Sequence, residues 1–154
     1  MIPEGQIFLR LIIASVLGAL IGLDRERQNQ PAGLRTHIIL VTGAALAMTL
    51  SINLSMQYRT MATNGDPTRL AAQVLSGIGF LGAGAILRYG TNIKGLTTAT
   101  SLWTMAVVGL AVGAGYLLVA IGTTVFLLSA LTILNRIEKN KLTVNVVRQL
   151  WIMS

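Results

Sequence analysis

The sequence has no cysteine, so disulfides, thiolate metal sites and thiol nucleophiles are excluded. It has one histidine, His37, too few for a histidine-rich metal cluster within one chain. Acids are scarce: Glu4, Asp24, Glu26, Asp66 and Glu138 are the only ones. Charged residues make up 11% of the 154 positions, where a soluble domain carries about 25%. Such a chain lacks the polar surface that water requires. Disorder is excluded as well, because 53% of the residues are hydrophobic and disordered chains combine low hydrophobicity with high charge. No nucleophile, base and orienter set can be assembled, and there is no phosphate-binding loop or dinucleotide fingerprint. Neither an enzyme nor a cofactor is expected.

What the sequence has is long apolar runs and a mean hydropathy of +0.70. Five runs read as membrane spans, at 6–23, 38–56, 70–87, 96–113 and 116–134. At a rise of about 1.5 Å per residue the first covers about 27 Å, close to a hydrocarbon core of about 30 Å. Its basic flank, Arg25 and Arg27, follows the run rather than preceding it, which favours a retained span over a signal peptide. Only Gly113 to Gly115 separates the last two runs, so they form a tight antiparallel hairpin. The expected fold is all-α transmembrane: a five-helix polytopic bundle over 1–135, followed by a short tail at 136–154.

The net charge of +7 sits between the apolar runs, not along one stripe, so nucleic acid is not the expected partner. Arg25, Arg27, Arg35, Arg88, Lys94, Arg136, Lys139, Lys141 and Arg148 fall on one side of the membrane. Arg59 and Arg69 fall on the other, joined by Arg10 if it snorkels back toward the amino terminus. The positive-inside rule then puts the amino terminus outside and the tail in the cytoplasm. Tyr58 and Tyr116 mark the outer interface and Tyr89 the inner one.

Helices in lipid associate through small residues and polar contacts. Gly18 and Gly22 in the first span, and Gly109 and Gly113 in the fourth, are each four apart. The third span is richest, with Gly77, Gly79, Gly82 and Gly84. Gln73, Gly77, Phe80, Gly84 and Arg88 share one face and Gly82 lies opposite. This predicts close neighbours on two sides and a central third span. A glycine-lined pore or lateral groove is the alternative use. The fourth span adds Thr97, Ser101 and Thr104, with Thr100 beside them.

No acid lies in mid-span, which argues against a transporter with a carboxylate at the bilayer midplane. Gln73, the most polar group deep in a span, suits a helix-to-helix hydrogen bond. Asp24 and Glu26 diverge by about 200° on a continuing helix and cannot grip one ion together. The Asp24-Arg25-Glu26-Arg27 cluster is therefore an interface charge cluster, or a docking site for the loop near Arg35 or Arg88. Pro31 suits an early position of the second helix. His37 beside Arg35 is read as lying at the interface, with pH sensing or an anionic head group as alternatives. Between Gly90 and Gly95, Asn92 is read as the tip of a compact turn.

The string Gly22-Leu23-Asp24-Arg25-Glu26-Arg27, then Pro31-Ala32-Gly33-Leu34-Arg35-Thr36-His37, resembles the first signature of the MgtC/SapB family of bacterial membrane proteins. A longer second signature runs from Gln73 through Gly77, Gly79, Gly82 and Gly84 to Ile86, and on through Gly95-Leu96-Thr97-Thr98-Ala99 and Ser101-Leu102-Trp103. The resemblance extends from about Leu9 to Leu134. It implies a bacterial inner-membrane protein linked to growth in low magnesium and, in pathogens, to virulence through survival inside macrophages. It further implies binding to the membrane part of the F-type ATP synthase in some members, which protects membrane potential and cytoplasmic pH. Members are no longer generally regarded as magnesium transporters. Asp24 and Glu26 match the acidic pair of the first signature, and Asn92 matches a position important in virulence-associated members. Many members carry a soluble ACT-like domain after the fifth span, and here Lys141 to Val147 reads as the opening of a strand of such a domain, truncated or absent. Three readings follow: a non-catalytic regulator that binds another membrane complex; an ion channel or transporter subunit with a pore between protomers along Gln73, Ser76 and Thr104; or a structural or stress-related membrane protein with lipid as its main ligand, its head groups near Arg35. Exposed small-residue faces predict a homo-oligomer, with a dimer favoured.

Overall fold

Backbone N–H and C=O groups that face lipid must bond within their own segment, so long apolar runs without interior proline become helices. The computed structural model bears this out. It describes residues 1–59, 66–89 and 92–152, with side chains described for 1–59, 66–86 and 93–137. Five helices form: α1 Glu4–Arg27, α2 Leu34–Gln57, α3 Arg69–Ala85, α4 Leu96–Ala114 and α5 Leu117–Ile152. Four are long and apolar enough to cross a membrane: α1, α2, α4 and α5 over Leu117–Ile137. At 17 residues, α3 is about 26 Å long, just short of the hydrocarbon thickness. It stops at Ala85 because β1 (Leu87–Tyr89) and β2 (Asn92–Lys94) fold into an antiparallel hairpin. Leu87 pairs with Lys94 and Tyr89 with Asn92. Asn92 therefore opens a strand instead of sitting at a turn tip. Residues 141–147 continue α5 and do not open a strand.

The ends of the helices follow local chemistry. After α1, Asn29 takes a left-handed conformation, φ 52°. Its N–H donates to the Glu26 carbonyl and the Gln30 N–H to that of Arg25, 3.0 Å each, the paired arrangement of a Schellman motif. Pro31 follows it in the connector, and α2 begins at Leu34, not at the proline. The motif recurs after α4: Gly115 has φ 95°, its N–H reaches the Val112 carbonyl, and the Tyr116 N–H reaches that of Ala111. Asp66 opens α3 by accepting from the Thr68 N–H and hydroxyl at 2.8 and 2.7 Å. Those two bonds hold its carboxyl below the usual carboxylate range.

The core is built from Ala14, Leu17 and Ile21 of α1, Val41 and Ala45 of α2, Met105, Val108 and Val112 of α4, and Ala120 and Leu131 of α5. The centre belongs to α2 and α4, not to α3, which buries only Ile78 and Gly82. Glycine placement explains the difference. A methyl group on Gly18 would come within 2.7 Å of the His37 carbonyl oxygen, and one on Gly22 within 2.7 Å of the Leu34 Cα. On α4, one on Gly109 would strike the Val41 carbonyl and one on Gly113 that of Ala45. These four glycines let α1 and α4 close on α2 backbone to backbone. Among the described residues Gly77, Gly79 and Gly84 meet open space, and Gly82 alone of that set faces a neighbour, Ala99.

Large apolar side chains point outward, among them Phe8, Ile39, Leu118 and Phe126. An apolar exterior of this extent belongs in lipid. At one end, Ile2 and Asn53 exchange two hydrogen bonds, 2.7 and 2.9 Å. At the same end, the Arg10 guanidinium donates to the Gly113 carbonyl at 2.6 Å, at the C-terminus of α4.

Candidate functional site

The other end of the bundle gathers the C-terminus of α1, the N-termini of α2 and α4, and Asn135 of α5. A polar cluster forms there. Arg25 is 2% exposed and pairs with Asp24 at 2.7 Å. A charge withdrawn this far from water needs its remaining donors satisfied. Gln28 supplies that: its side-chain oxygen accepts from the same guanidinium at 2.9 Å, and its amide donates to the other Asp24 oxygen at 2.9 Å. The spacing from Asp24 to Gln28 is four residues, so both point the same way from α1. Asn135 donates to the same Gln28 oxygen, tying α5 to the end of α1. Gln30 accepts from Thr98, which is fully buried at the start of α4.

Glu26 takes a different direction, as its angular separation from Asp24 requires. It accepts from the Leu34 N–H at 2.8 Å, capping the first turn of α2. The two acids of the signature thus perform separate tasks, one on α5 through Gln28 and one on α2. Among the described residues no three of His, Asp and Glu lie close enough together to hold a metal.

His37 and Arg35, paired in the sequence reading, part company. Two positions apart on a helix they diverge by about 200°. Arg35 is exposed, while His37 is fully buried under Gly18 and does not lie at the interface. His37 Nδ1 shares a 3.0 Å hydrogen bond with the Gly33 carbonyl, and Nε2 has no partner among the described residues. Gln73 is exposed on α3 with no partner among the described residues, so no helix-to-helix bond of the expected kind is seen there. The polar stripe of α4 divides: Ser101 is buried, Thr104 is half-buried, and Thr97 and Thr100 are exposed. The side chains of Arg88, Tyr89 and Asn92 lie outside the described ones.

Gln28, Gln30 and Asn135 were not singled out from sequence. The four-residue step from Asp24 was the available signal for Gln28; nothing local announces Asn135, more than a hundred residues away.

The two signature segments meet at this end of the bundle, and the sequence pattern of the MgtC family matches residues 11–140. The chain belongs to the MgtC family. It is 45% identical over 123 residues to protein MgtC of Salmonella typhimurium, covering 79% of this chain and 49% of that one. Protein SapB of Bacillus subtilis is 42% identical over 130 residues, covering 81% and 55%. YhiD of Escherichia coli, whose name proposes a magnesium transporter, is 41% identical over 111 residues, covering 71% and 52%. The chain spans about half the length of these relatives. No solved structure matches it.

Proposed function

We propose that this MgtC-family chain is a non-catalytic regulatory protein of the bacterial inner membrane. It acts in adaptation to low magnesium and in the balance of membrane potential and cytoplasmic pH, by binding another membrane complex such as the F-type ATP synthase. In this reading α3 is a fifth, shorter crossing, the amino terminus is outside, and the polar cluster faces the cytoplasm. The observation that carries the proposal is the contrast between glycine faces. Gly18, Gly22, Gly109 and Gly113 are consumed by packing, whereas Gly77, Gly79 and Gly84 meet nothing among the described residues. In lipid, a small-residue helix face left open is a surface on which another helix can dock closely. That helix belongs to the partner complex or to a second copy of the chain.

The name of YhiD favours a second reading, an ion channel or transporter subunit. One pair of measurements separates the two. Affinity purification from cross-linked native membranes is expected to recover the membrane sector of the ATP synthase, and Gly77→Leu to lose it. Proteoliposomes of the purified chain are expected to show no magnesium flux. Robust flux, abolished by Gln73→Leu, would replace the regulator with the channel. Asp24→Asn and Asn92→Thr are expected to insert normally and to grow poorly in low magnesium; wild-type growth of both contradicts the proposal.

A further inference from the structure

Between the start of α2, the end of α3 and α4 lies a cavity of about 590 Å³, within the roughly 300–1,000 Å³ typical of small-molecule sites. Its lining is graded. Arg35 and Thr36 stand where α2 begins, and Ile39, Leu40, Phe80 and Leu102 line the deeper part. The helical rise places Leu40 about 8 Å further along the bundle than Arg35. Phe80 is 83% exposed and Ile39 is 72% exposed, so the cavity is a groove in the outer wall, open sideways to the membrane.

Among the described residues no carboxylate lines this groove. Among the described residues Arg35 forms no ion pair, and the adjacent Glu26 is turned to the Leu34 N–H. One cation at the end of the bundle, above an apolar trough running toward the bilayer centre, complements an amphiphile with an anionic head and an apolar tail. We propose that this groove holds an anionic phospholipid, its phosphate on Arg35 and one acyl chain along Leu40 and Phe80. The groove shares Phe80 and Gly84 with the open face of α3, so a lipid here and a docked helix would compete for that wall, but lipid retention by the purified chain is read without partner complex or ion flux. Acyl chains are abundant throughout the bilayer, so the apolar wall selects nothing alone; selection comes from the Arg35 charge. A single basic residue at an anionic membrane surface contributes about a fivefold preference.

The test uses the purified full chain in nanodiscs of equal phosphatidylglycerol and phosphatidylcholine. The protein is extracted in mild detergent, and the lipid it retains is counted by mass spectrometry. The expected result is retained phosphatidylglycerol in about fivefold excess over phosphatidylcholine. Arg35→Gln is expected to bring that ratio close to one, and Arg35→Lys to keep it. Gly84→Trp places a bulky side chain into open space on the groove wall and is expected to strip both lipids while the protein still elutes as a single species. Arg27→Gln, exposed nearby but off the groove, is expected to leave the ratio unchanged. The proposal is overturned if the wild type shows no preference, if Arg35→Gln keeps it, or if Arg27→Gln erases it to the same extent. It is also overturned if Gly84→Trp leaves retained lipid intact and instead dissolves a cross-linked dimer, which would make a second copy the occupant.

Discussion

Replacing Gly109 by alanine tests the close packing of α4 on α2. The new methyl group would run into the Val41 carbonyl oxygen and come within 2.7 Å of the Ala44 Cβ. Both obstacles belong to backbone or to an atom fixed to it, so no rotamer change relieves them. Overpacking of this kind costs about 1–3 kcal/mol, and rigid neighbours place Gly109 at the upper end. Alanine returns about 1 kcal/mol through helix propensity, which leaves a net loss of about 2 kcal/mol. Gly77→Ala on α3 carries the same propensity gain with nothing within 4 Å to strike, so it is expected to stabilise by up to about 1 kcal/mol. The gap of about 3 kcal/mol is more than a hundredfold in the unfolding equilibrium. Circular dichroism during a denaturing-detergent titration of the micellar protein reads both variants against wild type. Equal midpoints, or greater damage from Gly77→Ala, would refute the assignment of α2 and α4 to the centre.

Three further outcomes follow from the same geometry. Arg25→Leu leaves the Asp24 carboxylate without its cation and takes one donor from the Gln28 side-chain oxygen, and is expected to cost about 3 kcal/mol, read in the same titration; Asp24→Asn, which keeps hydrogen-bonding capacity, is expected to cost less. Gly95→Ala meets a left-handed backbone, φ 92°, and a collision with the Ala85 carbonyl, so it is expected to lower the thermal midpoint and to expose the segment joining α3 and α4 to limited proteolysis. Asn53→Ala removes both hydrogen bonds to Ile2, at about 1 kcal/mol each, and is expected to speed aminopeptidase trimming without changing the midpoint by more than a few degrees.

Much of this architecture was legible in the runs of apolar residues, because lipid leaves the backbone few choices. The helix bounds shifted mainly where capping chemistry intervened: α1 runs past Leu23 to a Schellman motif at Asn29, and α2 waits for Gly33 instead of starting at Pro31. Helix order in the bundle was not legible. The glycine count of α3 suggested the centre, yet what matters is whether a glycine meets a neighbour's backbone, and that is a property of pairs. The divergence of Asp24 and Glu26 was readable from angular spacing alone. The same rule applied to Arg35 and His37 would have sent one outward and the other inward. The link from Gln28 to Asn135 spans the whole fold and leaves no local trace.

The left-handed glycines at Gly95 and Gly115 have a mechanical consequence. Each breaks the helical path at one end of α4, so that helix cannot grow by a turn or donate one to its flanks. Its 19 residues fix a rod of about 28 Å. A bilayer thicker or thinner than this must be met by tilting the whole bundle or by deforming the lipid around it, each at a modest energetic cost per ångström. Within the bundle, α4 is thus the one span whose reach both glycines fix.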